Sequence, residues 1–425
     1  MSNVLPPTSA GIAEAGRRLR EGGCVAFPTE TVYGLGACAL NALAVASIFS
    51  IKGRPLTDPL IVHVPDAAAA EALVVLPVRA RAAFRALGAL WPGPLTLVAR
   101  ASPELPAAIT AGTGWVGVRV PALPLARALL IAAGVPVAAP SANRFGHVSP
   151  TRAAHVLADL GAHDIAVLVG EGEDVAAAEA SGVDGATGCN VGIESTVVRI
   201  GDDTDDGGVG DDDATEVVRP TLKLRILRRG GMSAAALREA LIVAGVSDAE
   251  ILFAQPAAQT EAGNAVTADG AAASTSGTPI PGGVQGGKVT EGDGIAAAAG
   301  MVAPGMLLTH YAPDVPATLV RRRAASDISA TGNVPLGDLS ATVIVDYGAQ
   351  LFPFATSALA YVDMASDASA ATAARGLFAA LRWAEVVPGA KRVLLADPRG
   401  IDDGEAAEAV RDRLYRAASG RQIEI

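Results

Sequence analysis

The sequence predicts an α/β protein with two folded parts, because strand-like and helix-like segments alternate on both sides of a compositionally biased segment. The chain has 425 residues, half of them hydrophobic, which is enough for more than one cored domain. Residues Gln255 to Gly300 are rich in small and polar residues and contain almost no large apolar side chains. Such a segment buries too little surface to offset its ordering entropy, so it predicts a flexible linker. The predicted domains are 1–240 and 316–425, with the linker and a joining segment at 241–315.

The first part alternates predicted strands with predicted helices. The strands are Cys24–Phe27, Leu60–Val64, Leu95–Ala99, Val116–Val120, Val137–Ala139 and Thr196–Ile200. The helices include Ile12–Glu21, Ala42–Lys52 and Val78–Leu90.

The last part repeats the alternation. Its predicted elements are strand Ala341–Asp346, helix Ala368–Val386, strand Arg392–Ala396 and helix Glu405–Ala418. In the first of these helices Leu377, Phe378 and Leu381 share one face, a spacing that favours packing against a sheet. Both parts are therefore predicted to be α/β.

Composition narrows the functional class. The net charge of −11 and the pI of about 5.0 argue against a protein that coats nucleic acid. The three cysteines lack CxxC spacing and the five histidines lack HExxH spacing, so no protein-held metal site and no disulfide framework is indicated. The start lacks a signal-peptide pattern, and the apolar stretch 128–142 is too short to span a bilayer, which predicts a soluble cytoplasmic protein.

Two stretches have features of ligand sites but are interpreted otherwise. The Asp/Gly run from Gly201 to Thr215 lacks the acid spacing and terminal glutamate of an EF-hand, so a solvated insertion is favoured over a calcium site. Gly282 to Lys288 has Walker A spacing, but Val289 replaces the required Ser or Thr and the stretch lies inside the linker. This match is interpreted as chance.

Polar residues are concentrated between Phe27 and His63. In the predicted helix Ala42–Lys52, Lys52 falls on the same face as the apolar stripe, and the next residue is a glycine suited to a helix C-cap. A lysine there either extends to solvent or meets an anion, and the pattern alone favours neither. Arg54 alone is commonly a surface cation, but two cations at one helix exit suit nucleotide phosphates.

Two further polar residues lie on predicted strands, opposite an apolar face. His63 shares its face with Ile61, and a lone histidine there is more often structural than functional. Arg119 shares its face with Gly117, which would leave room for a carboxylate or phosphate to reach the guanidinium. A salt bridge across the sheet is an equal alternative.

Small polar residues and cations follow other predicted strands. They lie in Ala139–Asn143, Ser149–Thr151, Ile193–Thr196 and Arg228–Gly231. Backbone N–H groups, hydroxyls and cations at the ends of strands can bind a ligand at one edge of a sheet, which favours a nucleotide pocket.

At these residues the chain resembles the threonylcarbamoyl-AMP synthase family, in its long two-domain form with a YrdC-type catalytic domain. The matching motifs are Pro28–Gly36, Lys52–Pro55, Asp58–Leu60, Trp91–Thr96, Val118–Pro121, Pro140–Asn143 and Gly192–Val197. After the linker, Pro304–Met306 and His310–Pro313 resemble the family's joining segment, and Asp412–Leu414 resembles the final helix of its Rossmann-like domain. The motifs occur in order over nearly the whole chain.

The resemblance implies a twisted-sheet catalytic domain with a deep cavity, followed by a smaller Rossmann-like α/β domain. It also implies a nucleotidyltransferase that makes threonylcarbamoyl-AMP and pyrophosphate from L-threonine, bicarbonate or CO2, and ATP carrying Mg2+. The product would pass to a tRNA threonylcarbamoyl transferase for modification of tRNA, without a membrane or a stable nucleic-acid complex as partner.

The resemblance assigns the site residues as well. Threonine would be surrounded by Thr31, His63, Arg119, Ser195 and the backbone at Ala139. The ATP side would comprise Lys52, Arg54, Asp58, Ser141, Asn143, Ser149 and Arg228, with Lys52 and Arg54 as the catalytic, phosphate-stabilising pair.

Some residues depart from the family pattern. Trp115 stands where a small hydroxyl residue is expected, and Leu308 replaces an aromatic residue of some members. At the position of Asp58 the family often has Asn. Asp58 would bring a negative charge near the phosphates unless it pairs with Arg54.

Two other functions are alternatives to this reaction. A double-stranded RNA or tRNA-binding module without adenylate-forming activity is one, and the acidic total charge disfavours it. A carbamoyl-transfer enzyme of the hydrogenase-maturation type is the other, and it would require cysteine pairs that this chain lacks.

Overall fold

The computed structural model describes residues 3–173, 188–201, 221–246, 248–254, 300–305, 307–322, 336–401 and 404–425. The predicted linker, the Asp/Gly run and the Walker-like stretch lie outside these residues, apart from Gly201 and Gly300. The parts of the chain on either side of residues 255–299 form one compact unit. None of the helices in the described ranges combines the length and the apolar character needed to cross a membrane.

Most of the first part is organised around a 12-stranded sheet within the described ranges. Its strands are β1 (Asn3–Leu5), β2 (Cys24–Phe27), β3 (Gly34–Cys38), β4 (Ile61–His63), β5 (Val74–Val75), β6 (Leu95–Ala101), β7 (Trp115–Arg119), β8 (Val137–Ala138), β9 (Ile165–Leu168), β10 (Thr196–Ile200), β11 (Leu222–Arg228) and β12 (Ala249–Phe253). Their order is β1-β9-β2-β3-β8-β4-β7-β6-β10-β11-β12, with β5 paired to β6. The sheet thus continues past the predicted domain boundary at residue 240.

The helices of this part are α1 (Ser9–Arg20), α2 (Ala42–Lys52), α3 (Ala67–Ala72), α4 (Val78–Gly88), α5 (Pro124–Ala133), α6 (Ala153–Leu160) and α7 (Ala234–Val243). Helix α2 has the predicted bounds. The Asn41 side chain caps its first turn, and Gly53 ends it in the left-handed conformation with φ of 62°. Lys52 is buried on the apolar face, as its position in the sequence predicts.

Strand pairing brings residues that are distant in sequence to the same place. Strands β4 and β7 are parallel, with His63 opposite Arg119. Strands β2 and β3 are antiparallel, and Phe27 is paired with Gly34 next to the loop that connects them. Every residue of β4 and β7 is buried, so neither strand has a solvated face.

The last part is a parallel sheet of five strands in the order β15-β14-β16-β13-β17. The strands are β13 (Ala317–Arg321), β14 (Thr342–Asp346), β15 (Ala360–Asp363), β16 (Arg392–Ala396) and β17 (Gln422–Glu424), and the helices are α8 (Ala370–Val386) and α9 (Glu405–Ala417). Leu377, Phe378 and Leu381 of α8 are completely buried in the core of this sheet, which confirms the predicted packing face. The α/β class predicted for both parts is therefore confirmed.

Candidate active site

Loops at the strand ends of the first sheet, together with residues 304–311, enclose a cavity. It contains about 570 Å³ of space not occupied by protein atoms, part of which is open to solvent. Its walls are formed by Thr29, Thr31, Val32, Gly34, Arg54, Pro59, Ile61, His63, Arg119, Ala139, Pro140, Ser141, Glu194, Ser195, Arg228, Pro304, Gly305, His310 and Tyr311. The predicted residues Thr31, His63, Arg119, Ala139, Ser195, Arg54, Ser141 and Arg228 thus meet in one cavity.

The loop after β2 holds Arg119 in place. Nη1 of Arg119 donates to Oγ1 of Thr31 at 3.0 Å, and Nη2 donates to Oε1 of Glu30 at 2.7 Å. The second carboxylate oxygen of Glu30 accepts the backbone N–H of Ala122 at 3.0 Å. Thr29 folds the loop itself, because its hydroxyl accepts the N–H of Thr31. Arg119 therefore forms a salt bridge, which was one of the two sequence alternatives. Its guanidinium also faces the cavity, where the other alternative, a bound carboxylate or phosphate, stays a prediction.

His63 lies beside Arg119 in the wall of the cavity and is 4 % exposed. Burial, with a smaller contribution from the Arg119 charge, lowers the pKa of His63 to about 3. The ring is therefore neutral at neutral pH, and its edge packs against Phe27 at a centroid distance of 6.3 Å.

Gly117 does not leave space for a ligand, contrary to the expectation from its position beside Arg119. A Cβ on Gly117 would lie 2.9 Å from Cγ2 of Thr96 and 3.4 Å from Cγ1 of Ile61. The missing side chain instead lets neighbouring strands pack closely, and Gly117 is not part of the cavity wall.

The sequence left two alternatives for Lys52, extension to solvent or contact with an anion. In the structure its side chain instead bonds to the protein backbone. It is 4 % exposed, and its Nζ donates to the backbone oxygens of Ser141, at 2.7 Å, and Asn143. Burial, followed by repulsion from Arg54, lowers the pKa of Lys52 well below its usual value. The ammonium group therefore holds the loop 141–143 against α2 and does not itself line the cavity.

Arg54 and Asp58 form a buried ion pair, which accounts for the acidic residue at position 58. Nη2 of Arg54 lies 2.9 Å from Oδ1 of Asp58, and the guanidinium also donates to the backbone oxygens of Asp58 and Pro59 at 3.0 Å and 2.7 Å. Burial raises the pKa of Asp58, and the Arg54 and Lys52 charges oppose that rise. Asp58 lies behind Arg54 and is not part of the cavity wall.

Ser195 and Arg228 form a second polar cluster, at the start of β10 and the end of β11. Nε and Nη2 of Arg228 donate to the backbone oxygen of Ser195 at 3.2 Å and 3.0 Å. The hydroxyls of Ser195 and Thr96 lie 2.7 Å apart. Both predicted residues line the cavity.

Asn143 and Ser149 support the wall from outside the cavity. The amide nitrogen of Asn143 donates to the backbone oxygens of Arg144 and His147 at 2.7 Å and 2.8 Å. The hydroxyl of Ser149 donates to Oε1 of Glu194 at 3.0 Å. These contacts give both residues a positioning role in this structure.

Several wall residues were absent from the site predicted by sequence. His310 and Tyr311 come from the joining segment, and their rings are 4.0 Å apart. Burial is the main reason why the pKa of Tyr311 rises to about 12. The His-Tyr-Ala-Pro motif was the available signal, but nothing in the local sequence shows that it returns to the first sheet.

Trp115, the departure at a predicted nucleotide contact, does not line the cavity. Its ring lies between two guanidinium groups, with Cζ of Arg100 at 4.3 Å and Cζ of Arg199 at 5.0 Å from the ring centroid. It therefore belongs to a stacked cluster on the sheet.

The charged side chains of the cavity wall are mostly cationic. Arg54, Arg119 and Arg228 all reach it, and Glu194 is the carboxylate among the wall residues that the structure describes. Burial lowers the pKa of His310 well below its usual value, and the Arg54, Lys52 and Arg228 charges lower it further. An anionic ligand would relieve this repulsion.

A separate histidine cluster connects the two sheets. His147, Asp314 and Glu385 place possible ligand atoms within 4.8 Å of one another. However, Nδ1 of His147 already contacts Asp159 at 2.8 Å, and Nε2 contacts Glu385 at 2.9 Å. Arg382 also contacts Asp159, at 2.8 Å. The cluster is therefore an ion network between the two parts of the chain.

Two family models match successive parts of the sequence. The Sua5/YciO/YrdC model, described as telomere recombination, matches residues 17–206. A model described as the C-terminal domain of threonylcarbamoyl-AMP synthase matches residues 280–419.

Curated proteins named threonylcarbamoyl-AMP synthase are similar over the first part. The Bacillus subtilis protein is 42% identical over 205 residues, which are 48% of this chain and 54% of that protein. The Pyrococcus abyssi protein is 44% identical over 183 residues, which are 43% of this chain and 48% of that protein. The matched region thus spans about half the length of these relatives. The Alkalilimnicola ehrlichii protein is 40% identical over 152 residues, which are 36% of this chain and 77% of that protein.

A solved structure is similar over both parts. The crystal structure of Pyrococcus abyssi Sua5 complexed with L-threonine aligns with a TM-score of 0.68 and 27% identity, and the alignment covers 100% of this chain and 99% of that one.

Proposed function

The chain belongs to the threonylcarbamoyl-AMP synthase family, and we propose that it forms threonylcarbamoyl-AMP and pyrophosphate from L-threonine, bicarbonate or CO2, and ATP. The observation that carries the proposal is the cationic cavity, where Arg54, Arg119 and Arg228 face one enclosed space. The substrates bring a carboxylate and a triphosphate, so their charges complement the wall. The threonine complex of the Pyrococcus abyssi relative supports the amino-acid part of the proposal.

Threonine would bind beside His63 and Arg119, where β4 and β7 end. Arg119 is oriented by Glu30 and Thr31, so its guanidinium can hold a carboxylate with little loss of side-chain entropy. Within the described chain, Nε of Arg119 and Nδ1 of His63 have no hydrogen-bond partner. A neutral His63 adds no positive charge beside the substrate amine, which must lose its proton before it can attack CO2.

ATP would bind on the side formed by Arg54, Ser141 and Arg228. The carbamate oxygen attacks the α-phosphorus, and the bond from that phosphorus to the pyrophosphate oxygen breaks. Negative charge increases on the departing pyrophosphate, so fixed cations lower the barrier. Lys52 fixes the loop that carries Ser141 and Asn143.

Mg2+ would enter with ATP. Glu194, the carboxylate of the described cavity wall, is already bound to Arg413 and Ser149. Because this carboxylate is already paired, the ion would be held by phosphate oxygens and water, as Mg2+ usually is. The ion would neutralise phosphate charge.

The product would pass to a tRNA threonylcarbamoyl transferase, and this role in tRNA modification would place the protein in the cytoplasm. The rival RNA-binding function has less support, because the cations that the structure brings together lie in a buried cavity and not on an open surface.

Pyrophosphate release, measured with ATP, threonine or bicarbonate omitted in turn, separates the two functions. We expect release only with all three substrates. Release that does not depend on threonine, or tRNA retention on a filter without any release, would contradict the proposal.

A further inference from the structure

One arginine of the last part of the chain reaches the wall of the cavity in the first part. Arg413 lies on α9 and is completely buried. Its Nε donates to Oε2 of Glu194 at 3.1 Å, and its Nη1 donates to the backbone oxygen of Arg229 at 2.7 Å. The same guanidinium lies 5.9 Å from the centre of the Tyr311 ring. A single side chain from helix α9 thus contacts three separate segments around the cavity.

Each contact of Arg413 adjoins a residue of the proposed substrate site. Glu194 directly precedes Ser195, and its other carboxylate oxygen accepts the hydroxyl of Ser149. Arg229 directly follows Arg228, which itself bonds to Ser195. Tyr311 is a wall residue. A shift of Arg413 would therefore displace the threonine side and the phosphate side together.

The chemistry of the contact favours positioning over simple packing. A buried ion pair gains little net stability over apolar residues of the same size, because both charges lose their hydration. A planar guanidinium, however, can hold two acceptors on different loops at fixed angles, which an apolar side chain cannot do and which the rotatable donors of a lysine do less rigidly. Burial raises the pKa of Glu194, but the charges of Arg413 and Arg228 outweigh this and keep the carboxylate ionised.

We propose that Arg413 is a positioning residue for the threonylcarbamoyl-AMP synthase reaction, through which the C-terminal sheet sets the affinity of the cavity for its substrates. The inference rests on the proposed function, and it adds that the last part of the chain positions residues of the site. Arg413 acts through Glu194 and Arg229, which hold Ser195 and Arg228 at their observed positions.

The test compares full-length variants by steady-state kinetics and thermal unfolding. We expect Arg413→Met to raise the KM for threonine and for ATP by about tenfold or more, with a smaller change in kcat, because positioning is lost while the reacting groups remain. Arg413→Lys should be intermediate, since it keeps the charge but lacks the rigid guanidinium that fixes the angle between the two loops. The matched control is Arg392→Met, because Arg392 bonds to Thr342, Leu336 and Asp338 within the last part alone. This control should change the unfolding temperature but not KM.

Glu194→Gln provides a second approach if Arg413→Met does not fold. The effects of Glu194→Gln and Arg413→Gln on KM should be less than additive in the double variant, because both changes disrupt the contact between Glu194 and Arg413. Additive effects, or an unchanged KM in a folded Arg413→Met protein, would overturn the inference. A wild-type protein without threonine-dependent pyrophosphate release would instead overturn the proposed function, so the two failures are distinguishable.

Discussion

Glu30 and Arg119 form an ion pair of 2.7 Å in which both side chains are about 95 % buried, and this pair orients the guanidinium toward the cavity. Glu30 therefore orients Arg119 at the proposed threonine site without lining the cavity, whereas the adjacent Thr31 lines it.

The first prediction concerns this pair. Glu30→Ala leaves the buried Arg119 charge without its ion-pair partner, so we expect the free energy of unfolding to fall by roughly 3–5 kcal/mol. Denaturant unfolding measures the loss. The control is Glu14→Ala, because Glu14 pairs with Arg17 on the surface and should matter little. Equal stability of the two variants would show that the buried pair does not hold the loop.

The second prediction separates the cations of the proposed phosphate side. Arg54→Ala should lower kcat/KM by about 10² or more, as expected when one fixed donor to the transition state is lost. Lys52→Ala should also lower turnover, and it should in addition loosen the loop 141–143, which proteolysis or hydrogen exchange would detect. The exposed Arg85→Ala serves as the control. Near-normal turnover of the folded Arg54→Ala variant would contradict the role of Arg54.

The third prediction concerns pH and the network between the two sheets. Burial lowers the pKa of His147, but hydrogen bonds to Asp159 and Glu385 outweigh it, so the net pKa is raised above 6.5. Asp314, Arg144 and Arg382 also face this network.

A raised pKa means that the stabilisation from His147 is fully present below pH 6.5 and is lost as the pH rises through the folded-state value. The difference in unfolding free energy between wild type and His147→Gln should therefore shrink as the pH rises above 6.5 and passes through the raised folded-state pKa. Wild type must be compared with His147→Gln because His63 and His310 have lowered pKa values, so their contribution to stability changes with pH in the opposite direction. A pH-independent difference would contradict the account.

The fourth prediction tests the close packing at Gly117. Gly117→Ala places a methyl group 2.9 Å from Thr96, so we expect a destabilisation of roughly 1–3 kcal/mol, measured by denaturant unfolding. Unchanged stability would mean that there is free space at Gly117, as expected from the sequence if a ligand approaches Arg119 there.

Sequence reasoning succeeded where the determinants are local. Helix α2 has the predicted bounds because its apolar stripe and the glycine at its end are encoded in consecutive residues. The clustering of Thr31, Arg54, Arg119 and Ser195 was also predicted, although only the resemblance distinguished the threonine side from the ATP side. Those individual roles stay predictions.

Sequence reasoning failed where contacts are distant along the chain. Lys52 bonds to backbone oxygens of residues 141 and 143, and such partners leave no pattern in the sequence. Arg413 and Glu194 are 219 residues apart in the sequence, so only the packing of the two parts of the chain reveals the contact. The edge strands β15 and β17 are short, and a few residues carry too weak a periodic pattern to be detected.

The most direct test of the central claim is detection of the product itself. The full-length protein is incubated with ATP, Mg2+, L-threonine and ¹³C-bicarbonate, and the nucleotides are analysed by mass spectrometry. We predict threonylcarbamoyl-AMP that carries the ¹³C label, that requires all three substrates, and that falls by at least about tenfold in Arg119→Ala. AMP without a labelled threonylcarbamoyl group, or no nucleotide product at all from the folded protein, would contradict the account.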